Sequence, residues 1–157
     1  MYKRAKMGVG YLAQEASVFT KLSVEDNIKL VLQMTNLNPK EQSEKLDFLL
    51  SEFSIQHIRK SIAMTLSGGE RRRTEIARSL VMNPDFILLD EPFANLDTRL
   101  REKLRDKVLH ILKDNNITSI IVTHDADEAM FLSDYIAILH CLLYTSDAAD
   151  EGLGVDL

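Results

Sequence analysis

The stretch "NPDFILLDEPFANLD", residues 83–97, carries the strongest fold signal in the chain. Asn83-Pro84 is a breaker pair that closes a preceding helix. Phe86 to Leu89 form an unbroken apolar run, the pattern of a parallel strand buried on both faces. That run ends in two adjacent acids, Asp90 and Glu91, at its carboxyl end, where open α/β sheets bind their ligands. An acid in that place can hold Mg²⁺, directly or through water, and its neighbour can polarise an attacking water. A plain solvent-exposed turn is the competing reading. The apolar run before the acids and Pro92 after them count against it.

Upstream lies "TLSGGERRRTEIARSL", residues 65–80. A serine and two glycines followed by a helical pattern predict a helix start with Ser67 as its N-cap. Helix N-termini carry unpaired N–H groups and the positive end of the helix dipole, which suits an anion such as phosphate. Gly68 and Gly69 could equally serve only to allow a tight entry into the helix. Downstream, "ITSIIVTHDADEA", residues 117–129, repeats the strand-and-tip pattern. Ile117, Ile120, Ile121 and Val122 read as a buried strand, with His124 just beyond its end and a short helical stretch after Asp125. A histidine there can hydrogen-bond a phosphate or the attacking water, although a lone histidine at a strand end is commonly structural.

Together these residues resemble the nucleotide-binding domain of ABC-type ATPases, a P-loop NTPase fold of α/β class with a mostly parallel sheet and an α-helical subdomain. "LSGGE" (66–70) is similar to the signature motif, in which Ser67, Gly68, Gly69 and Glu70 bind the γ-phosphate of ATP held by the opposite subunit. "FILLDEP" is similar to Walker B, which makes Asp90 the magnesium acid and Glu91 the catalytic base. "NLD" matches the D-loop, placing Asp97 near the nucleotide, and His124 matches the switch histidine. "GYLAQEASVF" (10–19) matches the Q-loop, with Gln14 sensing magnesium and water. Five motifs stand in the family's order. The resemblance implies ATP and Mg²⁺ as cofactors, a homodimer with a second nucleotide-binding subunit, and transmembrane permease subunits as partners. By the same resemblance, Gly68 and Gly69 let backbone N–H groups approach a phosphate closely.

The family's P-loop, G-x-x-x-x-G-K-[ST], cradles the phosphates and holds the metal. Ahead of residue 141 the only glycines are Gly8, Gly10, Gly68 and Gly69, and none precedes a lysine. The Walker A portion is therefore missing from these residues. Met1 reads as an internal methionine of a longer domain, and the chain by itself is expected neither to bind ATP tightly nor to hydrolyse it. Without the P-loop helix, one face of the strand at 86–89 is expected to lose its cover. At the other end, "CLLYTSDAADE" (141–151) resembles the translation of a transposon-end sequencing adapter, and "GVDL" (154–157) fits the adapter's next constant segment. Residues 141–157 therefore read as a non-native tail and 1–140 as a partial ABC ATPase domain.

Setting the tail aside alters the charge. It holds Asp147, Asp150, Glu151 and Asp156 and no base, so residues 1–140 carry 19 basic and 20 acidic side chains, a net −1 in place of −5. Near-neutral charge gives no electrostatic case for nucleic acid. The one cysteine, Cys141, lies in the tail, so the rest has neither a disulfide framework nor a cysteine zinc site. No signal-peptide pattern and no apolar run of about eighteen residues occurs.

Residues 23–63 are helical in pattern. Ser23 opens one helix with acids in its first turn, and Asn38-Pro39 opens another. In "EQSEKLDFLLSEFSI" (41–55), Leu46, Leu49, Leu50 and Phe53 share one face. By resemblance, about 15–65 is the helical subdomain that docks the transmembrane partner, and about 66–140 is the catalytic core. Successive residues Arg71, Arg72 and Arg73 point about 100° apart, so at least one is expected in solvent, paired with Glu70 or Glu75 or forming a basic patch. A charged helix from Thr98 to Asn116 has Leu100, Leu104, Val108 and Ile111 as its apolar stripe, and "DYIAIL" (134–139) reads as a further strand.

Residues 1–92 resemble the ATPase of bacterial lipopolysaccharide export in "GYLAQEASVF", "KLSVEDN" and "LSGGERRRTEIARSL", with Ala13 where that group carries proline. Residues 93–140, with "NLDTRLREKLRD" and "VTHDADEAMFLSDYIAIL", are more similar to ATPases of iron or anion importers. A divergent natural subunit and a chimera joined through "ILLDEPF" both fit. The resemblance implies a cytoplasmic protein, peripheral on the inner face of the bacterial inner membrane. A soluble ABC ATPase of DNA repair or translation is the other class. The compact insert at 15–65, which lacks a long heptad pattern, stands against it.

Overall fold

The computed structural model describes residues 8–139. Strand β1 (Val9–Leu12) leads into a helical region of α1 (Val24–Leu32) and α2 (Pro39–Glu52), followed by two single-turn 3₁₀ helices at Gln56–Ile58 and Ala63–Thr65. Helix α3 (Gly68–Ser79) returns the chain to strand β2 (Phe86–Asp90), then α4 (Thr98–Asp114), strand β3 (Thr118–Val122) and α5 (Ala126–Leu132) complete the order.

The helices start where the capping chemistry predicts. Ser23 accepts the Asp26 N–H. Asn38 accepts the N–H groups of Lys40 and Glu41 in a capping box with Pro39 in the first turn. Ser67 and Glu70 form a second capping box at α3. The α2 stripe of Leu46, Leu49, Leu50 and Phe53 is buried in full, packed with Ile28 and Leu32 of α1. One ionic brace ties this region together. The Glu25 carboxylate is buried and bonded to Lys29, Arg59 and Lys60, and Arg59, then Lys60, pull its pKa down to about 2. Among the described residues no helix is long and apolar enough to cross a membrane.

The three strands are parallel in the order β1-β2-β3, with Leu12 opposite Leu89 and Leu89 opposite Ile121. Both crossovers step the same way across the sheet. Right-handed connections therefore place both sets of helices on one face. That face is closed, with Leu12, Ile87 and Leu89 at 2% exposure or less. The opposite face carries the row Tyr11, Leu88 and Ile120, then Asp90 beside Val122. Tyr11, Ile120 and Val122 are each between 44 and 52% exposed.

The strand at 86–89 is fully buried only at Ile87 and Leu89, in line with the expected loss of cover on one face. In β3 the reading of a buried strand is corrected, since Ile120 and Val122 stand open on that same face. Residues 134–139 form no strand, because no strand of the described residues lies beside the outer edge of β3 to pair with them, and Tyr135, Ile138 and Leu139 are exposed. In α4 the buried row runs Leu104, Val108, Leu112. Ile111 and Leu100 are only partly covered, since the four-residue row continues to Leu112. The proposed tail at 141–157 lies outside the described residues.

Candidate functional site

The predicted site residues fall into two clusters. The first occupies the carboxyl ends of the strands. β2 carries Asp90 at its last position, on the uncovered face. Among the described residues the Asp90 carboxylate has no hydrogen-bond or ion-pair partner, as suits a group that binds something outside the chain. Glu91 follows in a left-handed backbone conformation, φ 44°, unusual for a residue that is neither glycine nor asparagine. Its N–H donates to Val122 O at 2.8 Å, which pins the turn to β3. Its Oε1 accepts the His124 N–H at 3.0 Å and lies 2.6 Å from His124 Nδ1. Gln14, two residues past β1, is exposed in a bend beside this tip.

The Glu91–His124 contact is electrostatically one-sided. The Glu91 side chain is 12% exposed and the imidazole 84%. Hydrogen bonding to Glu91, then its charge, raises the His124 pKa above its ordinary 6.5. A raised histidine pKa means that the contact contributes fully below about pH 6.5 and fades as pH rises through the raised value. An NMR titration is expected to place His124 above 6.5 and to bring it down in Glu91→Gln. An unchanged midpoint in the variant would show that the pair does not form in solution.

The second cluster surrounds the start of α3. Ser67 Oγ and N–H both meet Glu70 Oε2, at 2.7 and 2.9 Å, and these bonds hold the Glu70 carboxyl below its ordinary pKa. A Cβ on Gly68 would meet no atom within 4 Å, so this residue offers its backbone to open space. Gly69 differs. A Cβ there would lie 2.4 Å from Leu100 Cδ2, so its missing side chain makes room for α4. Gly68 thus presents an open backbone, whereas Gly69 lies close under α4. Asp97 caps α4 by accepting the Leu100 N–H at 3.0 Å. Among the described residues no hydrogen bond links Ser67, Glu70 or Asp97 to Asp90, Glu91 or His124.

The sequence reading missed what joins α3 to the strand tips. Arg72 is buried and donates to the main-chain carbonyls of Asp90, Glu91 and Pro92, as well as to Ala13 O. Arg71 and Arg73 are half-buried, so no member of the triplet stands wholly in solvent. The one available signal was Glu75, three residues after Arg72 at salt-bridge spacing.

The arrangement fits part of a magnesium–nucleotide site. Mg²⁺ prefers one or two carboxylates, with phosphate and water oxygens for the rest. Asp90 supplies such a carboxylate, and among the described residues no set of three acids, histidines or cysteines converges to cage a metal unaided.

Comparisons with known proteins agree with this geometry. A family model described as "ABC transporter" matches residues 1–94. A probable ABC transporter ATP-binding protein of Azorhizobium caulinodans is 51% identical over 140 residues, which is 89% of this chain and 50% of that protein. The lipopolysaccharide export system ATP-binding protein LptB of Escherichia coli K12 is 44% identical over 149 residues, with 89% of this chain and 61% of LptB covered. The chain thus spans about half the length of the curated relatives it matches. Among solved structures, the dimeric post-hydrolysis state of the ATP-binding cassette MJ0796 bound to ADP and Pi superposes with a TM-score of 0.70 at 27% identity. That match covers 78% of this chain and 55% of the other. With strand tips, capped glycine turn and family match in agreement, the chain belongs to the ABC transporter family and has the fold of an ABC ATPase.

Proposed function

We propose that these residues are part of the ATP-hydrolysing, energy-coupling subunit of a bacterial transporter that exports lipopolysaccharide. The observation that carries the hydrolytic reading is the Glu91 carboxylate, held by His124 at the end of β2 beside an unpartnered Asp90. In this reading Glu91 takes the proton of an attacking water, and His124 fixes its carboxylate and faces the phosphate. Asp90 and Gln14 hold Mg²⁺, which offsets phosphate charge when bound. Ser67, Gly68, Gly69 and Glu70 of one subunit meet the strand tips of the second, and Asp97 lies at that junction. The open space around Gly68 supports such a junction.

Residues 15–65 act as the helical subdomain that docks a transmembrane permease, and 66–140 as the catalytic core, on the inner face of the inner membrane. No nucleic-acid partner is proposed. Residues 1–157 hold no G-x-x-x-x-G-K-[ST] motif, so in this reading they do not hydrolyse ATP by themselves, and 141–157 are a non-native tail.

The export reading rests on the LptB relatives at 44 and 45% identity. An iron or anion importer is the second reading, favoured by "NLDTRLREKLRD" and the segment after His124. The full-length gene is expected to restore growth to Escherichia coli depleted of its own LptB. Failure with normal expression would favour the importer.

A further inference from the structure

Arg72 has a bonding pattern that general core packing does not require. Its guanidinium has five N–H donors, and five acceptors meet them. Nε donates to Pro92 O at 2.8 Å. Nη1 donates to Ala13 O at 2.8 Å and to Glu75 Oε2 at 3.3 Å. Nη2 donates to Asp90 O at 3.1 Å and Glu91 O at 2.9 Å. Four of the five acceptors are main-chain carbonyls, three of them consecutive. They converge on one side because Glu91 adopts φ 44°, a conformation that persists only where its surroundings over-determine it. Glu75, also buried, accepts the N–H groups of Ser17 and Val18 at 2.7 and 3.1 Å. Ala13, Ser17 and Val18 bracket Gln14. One buried Arg–Glu pair on α3 thus grips both the Gln14 loop and the turn that aims Glu91.

We propose that Arg72, anchored by Glu75, is a positioning residue for hydrolysis: it fixes the strained turn at Glu91, and so the direction of its carboxylate, and locks that turn to the loop carrying Gln14. This rests on the reading of Glu91 as the base. A lysine at this position keeps the positive charge beside Glu75 but has three donors, so it cannot hold all four carbonyls.

The test uses the full-length subunit with its own P-loop, comparing Arg72→Lys, Glu91→Gln and the double variant, with Arg72→Gln in reserve should the lysine variant not fold. Arg72→Lys is expected to lower kcat for ATP about tenfold, leaving KM within about twofold and a cooperative thermal transition. In the Glu91→Gln background the same change is expected to cost less than about twofold, because its effect passes through Glu91. An unchanged kcat in Arg72→Lys overturns the proposal. So does an equal tenfold loss in both backgrounds, the mark of a merely structural role. A wild-type kcat in Glu91→Gln would instead sink the reading of Glu91 itself.

Discussion

Glu91→Gln in the full-length subunit is expected to lower kcat for ATP by about 10²–10³, within the range of about 10²–10⁴ that a general base contributes. Glutamine keeps the size of the side chain and an oxygen to accept the His124 N–H, so the tip retains its shape. What it lacks is the ability to take a proton. KM is expected to change little, since the carboxylate acts on water and not on the nucleotide. Steady-state hydrolysis with a coupled assay checks both numbers. A fall in kcat below fivefold would remove Glu91 from the proton-transfer role and leave it as a partner of His124.

Gly68→Asp tests the other cluster with comparable effect. The site accepts a side chain sterically, because no atom lies within 4 Å of the added Cβ. An acid in the first turn of a helix is also favoured by the helix dipole, so the fold is expected to gain or lose no more than about 1 kcal/mol. A phosphate brought to that turn meets a carboxylate instead of bare N–H groups. Hydrolysis is expected to fall at least about a hundredfold, similar to loss of a preorganised donor. Gly69→Ala serves as the contrast. Its methyl group meets the mobile end of Leu100, so the effect is expected on stability, near 1 kcal/mol, with little change in rate. If Gly68→Asp hydrolyses ATP as the parent does, the glycine turn does not meet phosphate.

Local chemistry was legible in the sequence wherever a residue acts on its own neighbours. Ser67, Asn38 and Ser23 cap helices at the positions that their side chains and the following acids predict. The strand ending at Asp90 and the tip histidine follow from apolar runs that close on polar residues. What depends on a distant partner was not legible. Ile120 and Val122 read as buried because composition reports what a strand is built to face, whereas burial needs a covering layer. "DYIAIL" has strand composition and no strand beside it. Arg72 was indistinguishable from Arg71 and Arg73, since its acceptors lie on Ala13 and on Asp90 to Pro92, far along the chain. The roles of Gly68 and Gly69 separate only once α4 is seen against one of them.

In the proposed dimer, catalysis needs the strand tips of one subunit and the glycine turn of another. Mixing the two inactive full-length variants, Glu91→Gln and Gly68→Asp, tests it directly. Random pairing gives mixed dimers in which one of the two sites joins an intact Glu91 to an intact Gly68, so about a quarter of parental activity is expected to return. An equimolar mixture no more active than either variant alone would contradict a site shared between subunits.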